Sequence, residues 1–265
     1  MSETILSIIV IVLFLSLTGL FIFRLVSGGR GPNRNTLLLV GFMAVLIHAY
    51  LLYLRLFAPD IMDISFLTIF SLIAWVITAL MLVFAWRDPV ENLAIGILPI
   101  AALAVLLRIT HDSQHSLSQP LSLGLEIHII TSIIAYSLLS IAALQAMLLY
   151  IQDSQLHNKH PGGVVRALPP LETMERLLFR MISFGFVVLC ISLATGVFYI
   201  DDLISQHKTV LSFGAWILFA VLLWGRWRYG WRGRTATRWT LIGFAFLLLA
   251  YFGSKFVLEV VLHRV

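Results

Sequence analysis

Apolar runs of about 20 residues recur along the whole chain, and this repetition constrains the fold more than any other feature. A helix of that length crosses a hydrocarbon core of roughly 30 Å, whereas a membrane barrel would show alternating segments of about ten residues. Eight runs can be recognised, at residues 4–24, 36–57, 64–86, 92–109, 123–151, 178–200, 209–226 and 239–260. We therefore predict an all-α, polytopic membrane helix bundle of about eight transmembrane helices, forming a single integral-membrane domain over residues 1–265.

The basic residues are distributed unevenly between the two ends of these helices. If the connections are numbered one to seven, the odd ones and their flanks hold all but five of the 18 Lys and Arg residues. The five exceptions are Arg55, Arg108, Lys208, Lys255 and Arg264. Because Lys and Arg are retained in the cytoplasm, we expect both termini to lie on the periplasmic side of a bacterial inner membrane. Topogenic charge facing the lipid bilayer then accounts for the net charge of +5 without a nucleic-acid partner.

The longest connection, residues 153–177, belongs to the predicted cytoplasmic side. Pro-Gly-Gly and Pro-Pro interrupt it, which is typical of a loop. After Pro170, apolar residues recur at helical spacing with charged residues between them. This pattern predicts a short helix at the cytoplasmic interface that runs into the sixth transmembrane helix.

Histidines are concentrated toward the predicted periplasmic end. His128 lies five residues after Leu123, or about 7–8 Å along its helix, and His263 follows the last run at a similar level. Two neutral imidazoles that face each other across a helix pair can ligate haem iron axially, with apolar helices as the surrounding wall. The alternative is that His128 hydrogen-bonds a helix backbone and that His263 is a solvated tail residue.

Other polar residues leave further functions open. His48, near the middle of the second run, either hydrogen-bonds a neighbouring helix or lines a path for a proton or cofactor. The HDSQH sequence at residues 111–115 is either a hydrophilic loop or a pair of ligands for a divalent cation. Cys190 is the only cysteine, so this chain alone forms neither an intramolecular disulfide nor a CxxC redox pair.

Four segments carry a family resemblance. They are LEIHIITSIIAYS from residue 125, LPPLETMERLLFRMISFGF from residue 168, GWRGR at residues 230–234, and FGSKFVLEVVLH, which ends at His263. Together they resemble the cytochrome c assembly protein family, of the CcsA, CcmC and HemX kind, and most closely its YpjD-like inner-membrane branch. The resemblance covers about residues 123–263, and it implies that His128 and His263 are axial ligands of a haem held at the external face.

The sequence departs from that family's pattern in two places. The family's Trp-rich loop before the penultimate membrane helix corresponds here to DDLISQHKTVLS, residues 201–212, which has no tryptophan and offers His207 and Lys208. Trp224, in LLWGR, stands where the family has a membrane-buried histidine. The resemblance therefore implies a haem-binding accessory protein rather than a complete cytochrome c synthetase.

These observations favour a haem-handling inner-membrane protein whose partners are haem, the bilayer and a cytochrome assembly or other membrane complex. The sequence has no nucleotide loop, Ser/His/Asp set or pair of intramembrane carboxylates, which disfavours an enzyme. One alternative is an ion or small-solute transport protein, or a transport accessory, with His48 and the HDSQH loop along the route. The other is a haem-free structural partner of a membrane complex.

Overall fold

The described part of the chain is almost entirely helical. A computed structural model describes residues 2–56, 62–63, 65–110, 116–117, 123–157, 167–199 and 207–253. Its helices are α1 (Ser2–Val26), α2 (Arg34–Leu56), α3 (Phe66–Arg87), α4 (Ala94–Thr110), α5 (Leu123–His157), α6 (Leu171–Tyr199), α7 (His207–Tyr229) and α8 (Gly233–Leu248). A 3-10 turn, Glu91–Leu93, precedes α4, and a π-helical turn, Leu249–Gly253, follows α8. Strands β1 (Met62–Asp63) and β2 (Ser116–Leu117) form one short antiparallel pair.

Seven of these helices, α1 to α7, are long and apolar enough to cross a membrane. The prediction of an all-α polytopic membrane protein is therefore confirmed. The eighth helix begins before the predicted run, at Gly233, and its regular part has 16 residues before the π-helical turn. The side of the membrane on which the termini lie stays a prediction.

Two neighbouring helices are much longer than a membrane crossing requires. The 35 residues of α5 and 29 of α6 correspond to about 52 Å and about 43 Å of helix, against roughly 30 Å of hydrocarbon. Helix α6 begins at Leu171, directly after Pro170, and continues without a break to Tyr199. Its predicted interfacial position is not tested by the helix bounds and stays a prediction.

The helices group into two compact units, Met1–Pro120 with Gly162–Leu168, and Leu121–Pro161 with Pro169–Val265. In the first unit, α1 packs against α2 and α4, and α3 also packs against both. In the second unit, α5 packs along α6 and against α8, while α7 packs against α6 and α8. The expectation of one domain over residues 1–265 stays a prediction.

Polar side chains fix one end of the first unit. Arg34, at the start of α2, pairs with the Glu91 carboxylate and also donates to the carbonyl oxygen of Ala85. Arg24, in the last turn of α1, donates through Nη1 to the carbonyl oxygen of Pro32 at 2.9 Å. The bond to Ala85 satisfies one of the backbone oxygens that the end of α3 leaves without an intrahelical partner, and the bond to Pro32 ties α1 to the connection before α2.

Two glutamines fix the beginning of α6 against α5 in the second unit. Gln145 donates through Nε2 to the carbonyl oxygen of Met174 at 3.2 Å, and Gln152 donates to that of Pro169 at 3.0 Å. Both glutamine side chains are buried. Since an amide buried in a membrane protein is costly without a hydrogen bond, these pairs help to set the register of the two long helices.

The GWRGR segment connects α7 to α8, and its residue types follow from local geometry. Gly230 and Gly233 have φ angles of 68° and 52°, in the left-handed region that favours glycine. The Trp231 ring covers Gly225, where a Cβ atom would overlap the indole. Arg226 donates through Nη1 to the carbonyl oxygen of Trp231 at 3.0 Å. The loop is thus a packed connection.

The same connection is tied to both long helices. Arg234 donates through Nε to Asp153 Oδ2 on α5 at 2.9 Å, and this hydrogen bond raises the pKa of Arg234 above its ordinary value. The backbone N–H of Gly233 donates to the Glu175 carboxylate on α6. This second bond satisfies one of the free donors at the start of α8.

Candidate functional site

His128 lies on the second turn of α5, and its half-buried ring faces α6. Its Nδ1 atom is 2.9 Å from the carbonyl oxygen of Ser192. A carbonyl oxygen only accepts hydrogen bonds, so Nδ1 carries the proton in this pair. In a neutral imidazole the lone pair then belongs to Nε2, the nitrogen that ligates metals when Nδ1 is engaged.

A glycine on α6 makes room for the ring. A Cβ atom at Gly196 would lie 2.9 Å from Cε1 and 3.2 Å from Nδ1 of His128. The first distance is shorter than real Cβ contacts, so a side chain at this position would displace the imidazole. Gly196 therefore determines how closely His128 approaches the α6 backbone.

Hydroxyl groups surround the ring without occupying Nε2. The Ser132 hydroxyl donates to the carbonyl oxygen of His128 at 2.6 Å, and its Oγ is also 2.6 Å from Ser192 Oγ. Its distance to Nε2 is 3.5 Å, the outer limit of a hydrogen bond. Because a serine hydroxyl has one proton, a proton directed to the His128 carbonyl oxygen is not available to Nε2. Thr195 Oγ1 is 3.5 Å from Nδ1 and donates to the carbonyl oxygens of its own helix.

Below His128, the same face of α5 contacts α8. Ser132 and Tyr136 follow His128 at four-residue spacing, which places all three on one side of the helix. The Tyr136 ring lies 5.6 Å from that of Phe244 and 6.2 Å from that of Tyr251. Helices five and eight are therefore neighbours, with an aromatic cluster two turns from His128. His263 lies outside the described residues.

His48, in the first unit, has a different environment. Its ring is fully buried, Nε2 is 2.9 Å from Ser71 Oγ, and Phe14 packs edge-on at 5.9 Å between ring centroids. Nδ1 has no hydrogen-bond partner among the described residues. Arg108 lies close enough for its charge to act on the ring. The hydrogen bond to a neighbouring helix is one of the two roles that the sequence predicts for this residue.

The remaining candidates are not brought to His128 by any described contact. His207 begins α7, and its side chain lies outside the described residues, as do the HDSQH loop and Lys255. Trp224 is 56% exposed near the C-terminal end of α7, with its ring edge-on to Tyr229 at 5.9 Å. Within the described ranges, no group of three or more His, Cys, Asp or Glu side chains is arranged to hold a metal ion.

Sequence reasoning missed the residues that hold His128 in place. Ser132 had a local signal, since a residue four positions along a helix lies on the same face. Ser192, Thr195 and Gly196 lie more than 60 residues away in sequence, and only the packing of α6 on α5 brings them to the imidazole. Their spacing on α6 carries no distinctive motif.

The fold and the histidine site describe a multi-pass membrane protein with an anchored imidazole near one end of a long helix. The family described as cytochrome C assembly protein matches residues 36–262, so the match extends over most of the chain. The chain belongs to this family. The match includes α2, α3 and α4, which precede the segments that carry the sequence resemblance.

Three relatives show how the similarity is distributed. The inner membrane protein YpjD of Escherichia coli is 33% identical over 238 residues, which cover 88% of this chain and 90% of that protein. The cytochrome c biogenesis protein CcsA of Gloeobacter violaceus is 25% identical over 103 residues, 37% of this chain and 30% of that protein. Protein HemX of Brevibacillus brevis is 21% identical over 131 residues, 48% of each chain. No solved structure matches the chain significantly.

These similarities confirm the resemblance drawn from the four sequence segments. Together with the seven candidate spans, the similarity to YpjD identifies a multi-pass protein of the inner membrane. Membership of the family suggests a haem-handling role.

Proposed function

We propose that this protein binds haem near the predicted periplasmic end of α5, with His128 Nε2 as one axial ligand of the iron. The observation that carries the proposal is the contact between His128 Nδ1 and the Ser192 carbonyl oxygen, 2.9 Å long. It fixes the tautomer, holds the ring plane and leaves the lone pair of Nε2 for a metal. The same bond satisfies an N–H that lies between two helices, so the spectroscopic test below separates a ligand from a histidine that only packs.

The backbone hydrogen bond and the ligand role are compatible because imidazole has two nitrogens. Metal-ligating histidines ordinarily donate their other N–H to a carbonyl or a carboxylate, which orients the ring and raises its basicity. Ser192 provides this partner, and Gly196 provides the space for it. A bond from Nδ1 to Ser192 and a bond from Nε2 to iron can therefore exist at the same time on this imidazole.

The second axial ligand in this proposal is His263. The contact of Tyr251 with Tyr136 supports it, because this contact brings α8 to the face of α5 that carries His128. Tyr136 and His128 are separated by about 12 Å along α5, whereas the ten residues from Gly253 to His263 can extend to about 33 Å. The chain is thus long enough for His263 to reach the level of His128.

In this function, His128 and His263 would hold the haem, and the haem would supply an iron for their imidazole nitrogens. The protein's own residues orient Nε2, and apolar side chains exposed on the outer parts of α5 and α6, such as Ile127, Ile130 and Phe198, supply contact surface for the porphyrin. We place the protein as an accessory of cytochrome or haem-protein assembly, because the sequence lacks the Trp-rich loop of complete synthetases. Its protein partner belongs to such an assembly complex.

The proposal is tested by absorption spectroscopy of the protein purified in mild detergent from haem-replete cells. We expect a stoichiometric Soret band and sharp bands after reduction, as for a low-spin iron with two histidine ligands. His128→Ala and His263→Ala should each abolish this spectrum. His157→Ala is the matched control, since His157 is exposed at the opposite end of α5 and should leave the spectrum unchanged.

A colourless wild-type protein that also fails to take up added haemin would contradict haem binding. A haem spectrum that survives His128→Ala but disappears in His48→Ala would instead place the ligand in the first unit. Both results can be distinguished from misfolding by the helical circular dichroism and the elution volume of each variant.

A further inference from the structure

A second candidate binding site lies at the opposite end of the second unit, beside the GWRGR connection. A cavity of about 390 Å³ opens there between the C-terminal half of α5, the first turn of α6 and the start of α8. Its walls include both acidic and basic side chains: Asp153 on α5, Glu172 and Glu175 on α6, and Arg232 and Arg234 at the start of α8. Tyr150, which is 46% exposed, and the half-buried Leu171 add apolar surface.

Most of these charges already have partners. Asp153 pairs with Arg234, and Glu175 accepts the hydrogen bond from the backbone N–H of Gly233. These contacts account for the structural role of the connection. They leave one carboxylate and one guanidinium on the cavity wall.

Glu172 and Arg232 are the two remaining charges. Within the described ranges, neither side chain has a hydrogen bond or ion pair, and they do not pair with each other although both line the same cavity. Both residues are exposed, so neither is needed for the packing of the core. A ligand that carries a positive and a negative group a few ångströms apart would satisfy both at once.

The surroundings indicate which dipolar ligand this is. The cavity lies where α5 and α6 extend past the length of a hydrocarbon core, at the end that the distribution of Lys and Arg predicts to be cytoplasmic. Lipid headgroups are abundant at this level. We propose that the cavity binds the phosphoethanolamine headgroup of a membrane lipid, with its ammonium at Glu172, its phosphate at Arg232 and its glycerol backbone against Tyr150 and Leu171.

The chemistry of the headgroup makes the proposal selective. A primary ammonium donates hydrogen bonds to a carboxylate, and a guanidinium forms strong hydrogen bonds with phosphate oxygens. A choline headgroup keeps the charge but has no N–H donor. A phosphoglycerol headgroup brings no positive charge to Glu172 and adds a negative charge to a cavity that already holds three carboxylates.

Native mass spectrometry of the delipidated full-length protein tests this assignment. Equal concentrations of phosphatidylethanolamine, phosphatidylcholine and phosphatidylglycerol are added, and one equivalent of the first should be retained preferentially. Glu172→Gln and Arg232→Gln should each weaken its binding about tenfold, as expected for the loss of one hydrogen bond to a charged group. Glu126→Gln and Arg238→Gln, which remove exposed charges that do not line the cavity, are the matched controls.

Soluble glycerophosphoethanolamine distinguishes a lipid from a free headgroup. If the lipid is the ligand, this compound should bind at least about tenfold more weakly, because it lacks the apolar contacts. Equal binding of lipid and soluble headgroup would overturn the lipid assignment. Equal retention of the three lipids, or wild-type affinity in both Glu172→Gln and Arg232→Gln, would overturn the site.

Discussion

Each of the two units places a histidine in a membrane-spanning helix, but the two rings differ in what surrounds their nitrogens. In the first unit, His48 is fully enclosed, and Nε2 is engaged with the Ser71 hydroxyl at 2.9 Å. In the second unit, His128 is half-buried, and Nδ1 is engaged with the carbonyl oxygen of Ser192 at the same distance. The first arrangement holds a polar ring inside a helix bundle, whereas the second anchors a half-buried ring through Nδ1 and leaves Nε2 with only a 3.5 Å contact to Ser132 Oγ.

The comparison shows that burial and ligand competence are separate properties. A ring that is buried on all sides, such as that of His48, reduces the free-energy cost of its burial by hydrogen bonding within the protein. No described space remains beside it for a porphyrin. A ring at the edge of a helix pair can be anchored through one nitrogen and remain accessible through the other. His48, whose burial costs more free energy, is therefore not the better candidate for a haem ligand.

Replacing each of the two histidines with alanine separates their roles with the largest expected effect. His128→Ala should weaken haem binding by more than about a hundredfold, because it removes a ligand rather than a residue that supports one. His48→Ala should keep the haem spectrum and lower the thermal unfolding midpoint. Haem titration with circular dichroism of both variants measures these effects, and a normal affinity in His128→Ala would remove the basis of the contrast.

The internal role of His48 is tested by removing its partner. Ser71→Ala leaves Nε2 of a buried imidazole without its hydrogen bond, which should cost about 1–3 kcal/mol of stability and leave haem binding unchanged. Ser137→Ala is the control, because Ser137 Oγ is buried and has no partner among the described residues. Thermal unfolding in detergent should show a lower midpoint for the first variant only; equal midpoints would mean that the His48–Ser71 contact contributes nothing.

The anchoring of His128 is tested through the glycine beside it. Gly196→Ala places a methyl group 2.9 Å from Cε1, so the ring must move away from the Ser192 carbonyl oxygen, and haem affinity should fall about tenfold. Gly19→Ala is the matched control, since a Cβ atom there meets no heavy atom within 4 Å. If Gly196→Ala keeps the haem affinity and spectrum of the wild type, the close approach of the His128 ring to the α6 backbone does not affect haem binding.

The smallest effect is expected at the hydroxyl next to Nε2. Ser132→Ala removes a group that lies 3.5 Å from Nε2 and donates its proton elsewhere, so haem affinity should change less than about threefold. A loss as large as that of His128→Ala would mean that Ser132 contacts the ligand directly. Haem titration of the two variants in parallel decides between these cases.

Much of the architecture follows from the sequence because the lipid solvent leaves few alternatives. A chain of apolar runs about 20 residues long must form helices to satisfy its backbone hydrogen bonds in a bilayer. For the same reason seven of the predicted spans appear as helices with bounds close to those expected. The boundary of α8 was less predictable, because its first six residues include two arginines and two threonines and therefore do not continue the apolar pattern.

The candidate site was predictable only in part. The position of His128 near one end of an apolar helix, and the family segment around it, singled out this ring as a candidate from the sequence, and its role as a ligand stays a prediction. Its partner on α6 was not predictable, because Ser192 contributes a backbone oxygen, which every residue possesses. Gly196 was equally hidden, since a glycine in an apolar helix does not reveal which side chain lies against it.

The sequence by itself determined that this chain is a polytopic helical membrane protein of the cytochrome c assembly family, because apolar length and local motifs are properties of contiguous residues. Only the tertiary structure decided that α5 contacts both α6 and α8, that His128 is held through Nδ1, and that Glu172 and Arg232 face one cavity without pairing. These features depend on distances between residues far apart in the chain. Such distances are fixed by the packing of whole helices, which no local pattern encodes.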